Sequence, residues 1–152
     1  RFEQRGISRR PLPATVTPGP AAVASAALGA AFLVVGVLGF AMGGMHQLFA
    51  VEGTELIVFE LNPFHNVLHL LLGGLFLAIS IRTAPTIRIW ASMGAIALMV
   101  LAVVGSLMEG GQLTNRLAAN PADNLFHAIT ALVAFGAAVW AAEPAAPKGT
   151  DA

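Results

Sequence analysis

The chain has 152 residues, of which 57% are hydrophobic and only 11% charged, and its formal net charge is zero. A soluble domain is about half apolar and one-quarter charged, so this composition indicates a single-domain membrane protein. The absence of cysteine excludes disulfides, thiolate metal sites, iron–sulfur clusters and covalently attached haem, and without a dense basic patch we expect no nucleic-acid partner.

The chain begins with a polar segment, residues 1–20, that is rich in arginine and proline. Its prolines exclude a regular helix, because proline lacks a backbone donor. We predict a cytoplasmic tail here and a second polar tail at 143–152. The first residue is arginine, not methionine, so we expect the true start to be missing or processed.

Four long apolar runs lie between the tails, at about 21–48, 63–81, 87–108 and 121–142. A spanning helix needs roughly 20 apolar residues, and a backbone in lipid must satisfy its own hydrogen bonds. We therefore predict an all-α fold, an integral membrane bundle of four transmembrane helices that occupies residues 21–142.

The basic residues predict the orientation of this bundle. Of the eight lysines and arginines, all except Arg116 fall in the N-terminal tail, the loop between spans two and three, or the C-terminal tail. Basic loops stay on the cytoplasmic side. We therefore expect a multi-pass protein of the bacterial plasma (cytoplasmic) membrane, with both termini cytoplasmic and the second and fourth spans starting at the outer face.

Two related polar motifs open the second and fourth spans: NPFHNVLH at 62–69 and NPADNLFH at 120–127. An offset of 58 residues aligns an asparagine, a proline, a second asparagine and a histidine, and it places His65 on Asp123. The pattern predicts two tandem helical-hairpin repeats in parallel orientation, related by a pseudo-twofold axis along the membrane normal.

Each motif predicts a helix start with a polar face below it. Asn62 and Asn120 have the position of N-caps, and each is followed by a proline at the first helical position. Side chains four residues apart share a helix face, and the pseudo-twofold would bring the two faces together. We therefore predict an outer-side cluster of six polar residues: His65, Asn66, His69, Asp123, Asn124 and His127.

The sequence leaves several roles open for this cluster. Interhelical hydrogen bonds between its members would hold the bundle together. His65, His69, Asp123 and His127 would suit a transition metal such as zinc, iron, manganese or copper. His69 and His127 would alternatively ligate haem or a chlorophyll-type pigment from its two faces. A proton or ion path finds little support, because no titratable residue follows below the histidines.

The motifs N-P-x-H-N-x-x-H and D-N-x-x-H, with the lead-in FELNP, carry a family resemblance over roughly residues 25–142. The chain resembles an actinobacterial family of four-helix integral membrane proteins of unknown function. The resemblance implies a membrane protein and no established activity.

Catalysis has little support in the sequence. There is no serine–histidine–aspartate arrangement and no phosphate-binding glycine loop, and the outer loops are too short to form a lid. We assign no catalytic residue and expect a non-catalytic protein in contact with the lipid bilayer and with other membrane-protein subunits. The predicted function is an accessory or stabilising subunit of a larger membrane complex, and the alternative is a small metal- or haem-binding membrane protein.

Overall fold

The computed structural model describes residues 18–50, 53–107 and 117–141. Both predicted tails, apart from residues 18–20, and Arg116 lie outside these ranges. The described elements are α1 (Pro20–Gly43), β1 (Thr54–Leu56), β2 (Phe59–Leu61), α2 (Pro63–Ser80), α3 (Ala84–Leu107) and α4 (Pro121–Trp140). All four helices are long and apolar enough to cross a membrane. The predicted all-α membrane bundle is confirmed, and the protein is a multi-pass membrane protein.

The first helix ends at Gly43, whereas the sequence predicts a span that continues to about residue 48. Gly44 has a φ of 67° and its backbone N–H donates to the carbonyl of Phe40 at 2.9 Å. This bond closes the last helical turn, and the positive φ, which glycine adopts readily, turns the chain out of the helix. The helix therefore ends about five residues before the end of the apolar run.

A short β-hairpin lies between α1 and α2, where the sequence predicts only a loop. The strands pair antiparallel, with Glu55 opposite Glu60, and both glutamates are exposed. Leu56 and Leu61, in contrast, are buried. The turn contains Ile57 at a φ of 61°, a region that β-branched residues rarely adopt. The hairpin thus packs its apolar side onto the end of the bundle where α2 and α4 begin, which we call the hairpin end.

The bundle consists of two closely packed helix pairs, α1 with α2 and α3 with α4. In the first pair the helices touch at glycine: an added Cβ at Gly29 would lie 2.9 Å from the carbonyl oxygen of Gly73, and the reverse holds as well. The equivalent residues of the second pair are Ala95 and Ala131, which are both buried. Small residues of this kind allow membrane helices to approach closely.

The burial pattern repeats between the two pairs. An offset of 66 residues carries most of the buried positions of α1 onto those of α3, and an offset of 58 does the same for α2 and α4. The offsets differ because the connection from α1 to α2 is longer and contains the hairpin. Equivalent buried positions include Ser25 with Ala91, Phe32 with Leu98, Gly39 with Gly105, Asn66 with Asn124, and His69 with His127.

Below the polar helix starts, the bundle is filled with apolar side chains. One cluster surrounds the stacked rings of Phe32 and Phe76, whose centroids are 6.1 Å apart. A second cluster near the other end consists mainly of alanines and Ile87. Apart from Ser25, the buried polar side chains are therefore concentrated toward the hairpin end, at and immediately beneath the starts of α2 and α4.

Candidate functional site

Asparagine caps fix the starts of α2 and α4. The Asn62 side chain accepts a hydrogen bond from the backbone N–H of His65 at 2.8 Å. In α4, Asn120 accepts from the N–H of Asp123 at 3.0 Å, and the Asp123 carboxylate accepts from the N–H of Asn120 at 3.1 Å. This reciprocal pair is a capping box, which satisfies two free donors at a helix start.

The two repeats also hold each other's helix starts. The side-chain amide of Asn120, at the start of α4, donates to the carbonyl of Val58 in the hairpin at 2.8 Å. In the opposite direction, the His65 side chain of α2 hydrogen-bonds the backbone of Leu117, which precedes α4. These bonds position the N-terminal ends of α2 and α4 side by side.

Three histidines meet between α2 and α4. Each offers a ring nitrogen, and these atoms of His65, His69 and His127 all lie within 4.8 Å of one another. The ring centroids are 4.4 Å apart for His65 and His69, 5.9 Å for His65 and His127, and 5.8 Å for His69 and His127. All three side chains are at least 97% buried. We call these residues the histidine triad.

The histidine triad is short of hydrogen-bond partners. Within the described part of the chain, five ring nitrogens find none: Nδ1 of His65 and both nitrogens of His69 and His127. A buried polar group without a partner costs about 1–3 kcal/mol. A ligand that pairs with these ring nitrogens would therefore remove a substantial free-energy cost.

Asp123, the fourth predicted metal ligand, is not part of the triad. It is fully buried, but its carboxylate turns back to the N-terminus of its own helix and closes the capping box. A negative charge at that position is favoured by the free N–H groups of the first turn. The structure therefore brings together three of the four predicted ligands, all of them imidazoles.

Asn66 and Asn124, the two remaining members of the predicted cluster, pack directly against glycines of the neighbouring helix. The Asn66 side chain occupies the space that a Cβ would need at Gly39, and Asn124 does the same at Gly105. Neither glycine belongs to the sequence motifs that predict the cluster. The offset of 66 residues between α1 and α3 would have connected the two.

Aromatic rings close one side of the triad. The Phe32 ring of α1 lies edge-on to His69, with centroids 5.4 Å apart. Phe126 of α4 packs on Phe32 at 5.3 Å and on Phe59 of the hairpin at 5.7 Å. These rings fill the space between α1 and α4 at the depth of the histidines.

A cleft of about 400 Å³ opens on the other side of the triad, between α2 and α3. All three histidines and Asn124 contribute to its lining, and the other lining side chains are apolar. Leu71, on this lining, is 64% exposed, so the cleft faces the surrounding lipid. The triad thus lies directly behind the wall of a lipid-facing cleft, with almost no exposed surface of its own.

The fold and the site define a four-helix multi-pass membrane protein with a buried histidine triad beneath its hairpin end. The chain belongs to the family described as a domain of unknown function (DUF4383), which it matches over residues 22–140. No curated protein and no solved structure matches the chain. The family match confirms the resemblance to membrane proteins of unknown function.

Proposed function

We propose that the protein is a metal-binding membrane protein whose histidine triad holds one divalent first-row transition metal. The observation that carries this proposal is the convergence of three buried imidazoles whose nitrogens otherwise have no partner among the described residues. Neutral imidazole suits zinc, copper, iron and nickel. A metal ion would supply the missing partner to all three rings at once.

The spacing of the triad fits such an ion after a small adjustment. Metal–nitrogen bonds of 2.0–2.1 Å in tetrahedral geometry place the ligand atoms about 3.3 Å apart. The nitrogens of the triad lie within 4.8 Å of one another, so rotations of the side chains would complete the set. Three protein ligands also leave the fourth position open, an arrangement typical of reactive rather than purely structural zinc sites.

The arrangement favours a single ion over haem or a chlorophyll-type pigment. A macrocycle between His69 and His127 would need a flat, empty layer between their rings. The His65 ring lies within 6 Å of both, at 4.4 and 5.9 Å, and it occupies part of that layer. Visible absorbance of the purified protein separates the two cases, since haem and chlorophyll absorb strongly and a zinc site does not.

A second proposal concerns the setting of this site. Apart from one short hairpin, the described chain lies almost entirely within four membrane helices, which suits an accessory or stabilising subunit of a larger membrane assembly. The exposed Arg82 and Arg88 lie at the end of the bundle opposite the triad. Their position supports cytoplasmic termini in a bacterial plasma membrane.

Titration with Co²⁺, whose visible absorption reports nitrogen ligation, tests the metal proposal. The wild-type protein in phosphatidylcholine nanodiscs should bind one Co²⁺ per chain. His69→Asn should weaken binding by more than the roughly 10–100-fold that loss of an outer-shell partner costs. His46→Asn is the matched control, because His46 is exposed and lies outside the triad.

A further variant separates the triad from the four-ligand set that the sequence predicts. Asp123→Asn should retain Co²⁺ binding if the carboxylate serves the capping box, and it should lose binding if Asp123 is a ligand. Wild-type protein that binds no Co²⁺, or whose binding survives His69→Asn, would contradict the metal proposal.

A further inference from the structure

The cleft beside the triad breaks the pseudo-twofold symmetry of the bundle. At the α1–α4 side, Phe32 and Phe126 fill the space next to the histidines, with their ring centroids 5.3 Å apart. The offsets of 66 and 58 residues carry these phenylalanines onto Leu98 and Leu68. Both leucines line the open α2–α3 side. The cleft therefore exists because two rings on one side correspond to two smaller side chains on the other.

The cleft has one polar end and an apolar body. The triad and Asn124 form the inner wall. Four of the leucines that line the cleft lie along α2, at 68, 71, 72 and 75. The distance along α2 from His65 to Leu75 is about 15 Å at the rise of an α-helix. Leu117 and Ala119 contribute to the lining from the chain before α4. The shape suits one extended hydrocarbon chain with a compact polar head.

The charge of a bound metal ion determines which polar head group would suit the wall formed by the triad. A divalent ion on three neutral imidazoles keeps its full double charge within a largely apolar environment, and a buried charge requires a partner. Oδ2 of Asp123 accepts from the start of its own helix, and Asp123 lies outside the triad, although its Oδ1 has no hydrogen-bond partner among the described residues. All three triad residues line the cleft, so an anionic oxygen donor that enters the cleft from the lipid would come next to a bound ion and neutralise part of this charge.

From this geometry we infer that the cleft binds a single-chain lipid-soluble carboxylate, a free fatty acid, whose head takes the open coordination position of the metal. The inference rests on the metal-binding function proposed above. The hydrocarbon chain lies between α2 and α3, and the carboxylate replaces solvent on the ion without any covalent step.

The test uses Co²⁺-loaded protein in phosphatidylcholine nanodiscs titrated with dodecanoate. The visible Co²⁺ spectrum should change saturably, since a carboxylate oxygen joins three imidazole nitrogens. Decyl benzoquinone serves as a separate arm, because its oxygens are neutral and should leave the spectrum unchanged. A response to the quinone alone would overturn the assignment to fatty acids.

A pair of substitutions closes the cleft without replacing a residue of the triad. Leu68→Phe with Leu98→Phe copies the filled side onto the open side, so Co²⁺ uptake should persist and the response to dodecanoate should fall at least tenfold. Ala97→Phe, at the exposed rim of the cleft, provides the same obstruction if the double variant does not fold. Ile129→Phe, which is exposed on α4 and outside the cleft lining, is the matched control and should respond like wild type.

The outcomes separate the two proposals. Absence of Co²⁺ binding in wild type would remove the metal site and the inference with it. Normal Co²⁺ binding with no spectral response to dodecanoate would overturn the inference alone. An equal response in wild type and in every folded cleft-filling variant would also overturn it, because the carboxylate would then reach the metal by another route.

Discussion

Adjacent glycines in α2 should respond in opposite ways to alanine. Gly73 faces α1, where an added Cβ would lie 2.8 Å from the backbone nitrogen of Leu33 and 2.9 Å from the carbonyl oxygen of Gly29. Gly74 points away, and a Cβ there would meet no atom within 4 Å. We expect Gly73→Ala to destabilise the bundle and Gly74→Ala to be neutral or stabilising.

The magnitude follows from the contacts. Ordinary van der Waals contacts of a Cβ begin at 3.4 Å, so α1 and α2 must separate by about 0.5 Å to admit a methyl group at Gly73. Overpacking of this kind costs about 1–3 kcal/mol. Replacing glycine by alanine within a helix gains up to about 1 kcal/mol at either position. That gain cancels in the comparison, so the two variants should differ by about 1–3 kcal/mol in the free energy of unfolding.

Equilibrium unfolding in bicelles by steric trapping measures this difference directly. Both variants should be prepared in the same lipid, with wild type as the reference. Equal stabilities for Gly73→Ala and Gly74→Ala would contradict the close approach of α1 and α2 and, with it, the packing that positions the histidines of α2.

Three further predictions concern the hairpin end of the bundle and the orientation of the bundle in the membrane. Asn120→Ala removes the capping box and should cost about 1 kcal/mol in the same unfolding assay; an unchanged stability would contradict that role. Gly39→Ala should destabilise the bundle by about 1–3 kcal/mol, and Asn66→Ala in the same chain should recover part of that loss, so additive effects in a double-mutant cycle would refute the contact. The chain has no native cysteine, so single cysteines can report which side each loop faces. Val58→Cys should react with an impermeant maleimide on intact cells, and Thr83→Cys should react only after lysis. The reverse pattern would show that the predicted orientation is wrong.

The sequence predicts the helices and the repeat well because both depend on local signals. Long apolar runs with few charges define the spans, and asparagine followed by proline defines two helix starts. The offset of 58 residues relates His69 to His127, and the structure buries both at equivalent depths. These features require no knowledge of how the helices pack.

Features that depend on tertiary contacts could not be predicted from the sequence. His65 and Asp123 occupy equivalent positions, yet His65 joins the triad of α2 and α4, whereas the carboxylate of Asp123 accepts from its own N-cap and closes a capping box. The hairpin is missed because Ile57, at a position where glycine is usual, gives no turn signal. The cleft next to Leu68 becomes predictable only when the aromatic rings of the opposite side are known.

The measurement that tests the central claim most directly is native mass spectrometry of the protein released gently from its own membrane, with metal analysis of the same sample. We predict one transition-metal ion per chain, absent from the His69→Asn, His127→Asn double variant and retained in His46→Asn. The double variant should still assemble, since neither change introduces bulk into the core. A wild-type chain without bound metal after Zn²⁺ or Co²⁺ is supplied, or a metal that survives the double substitution, would contradict the assignment of the histidine triad.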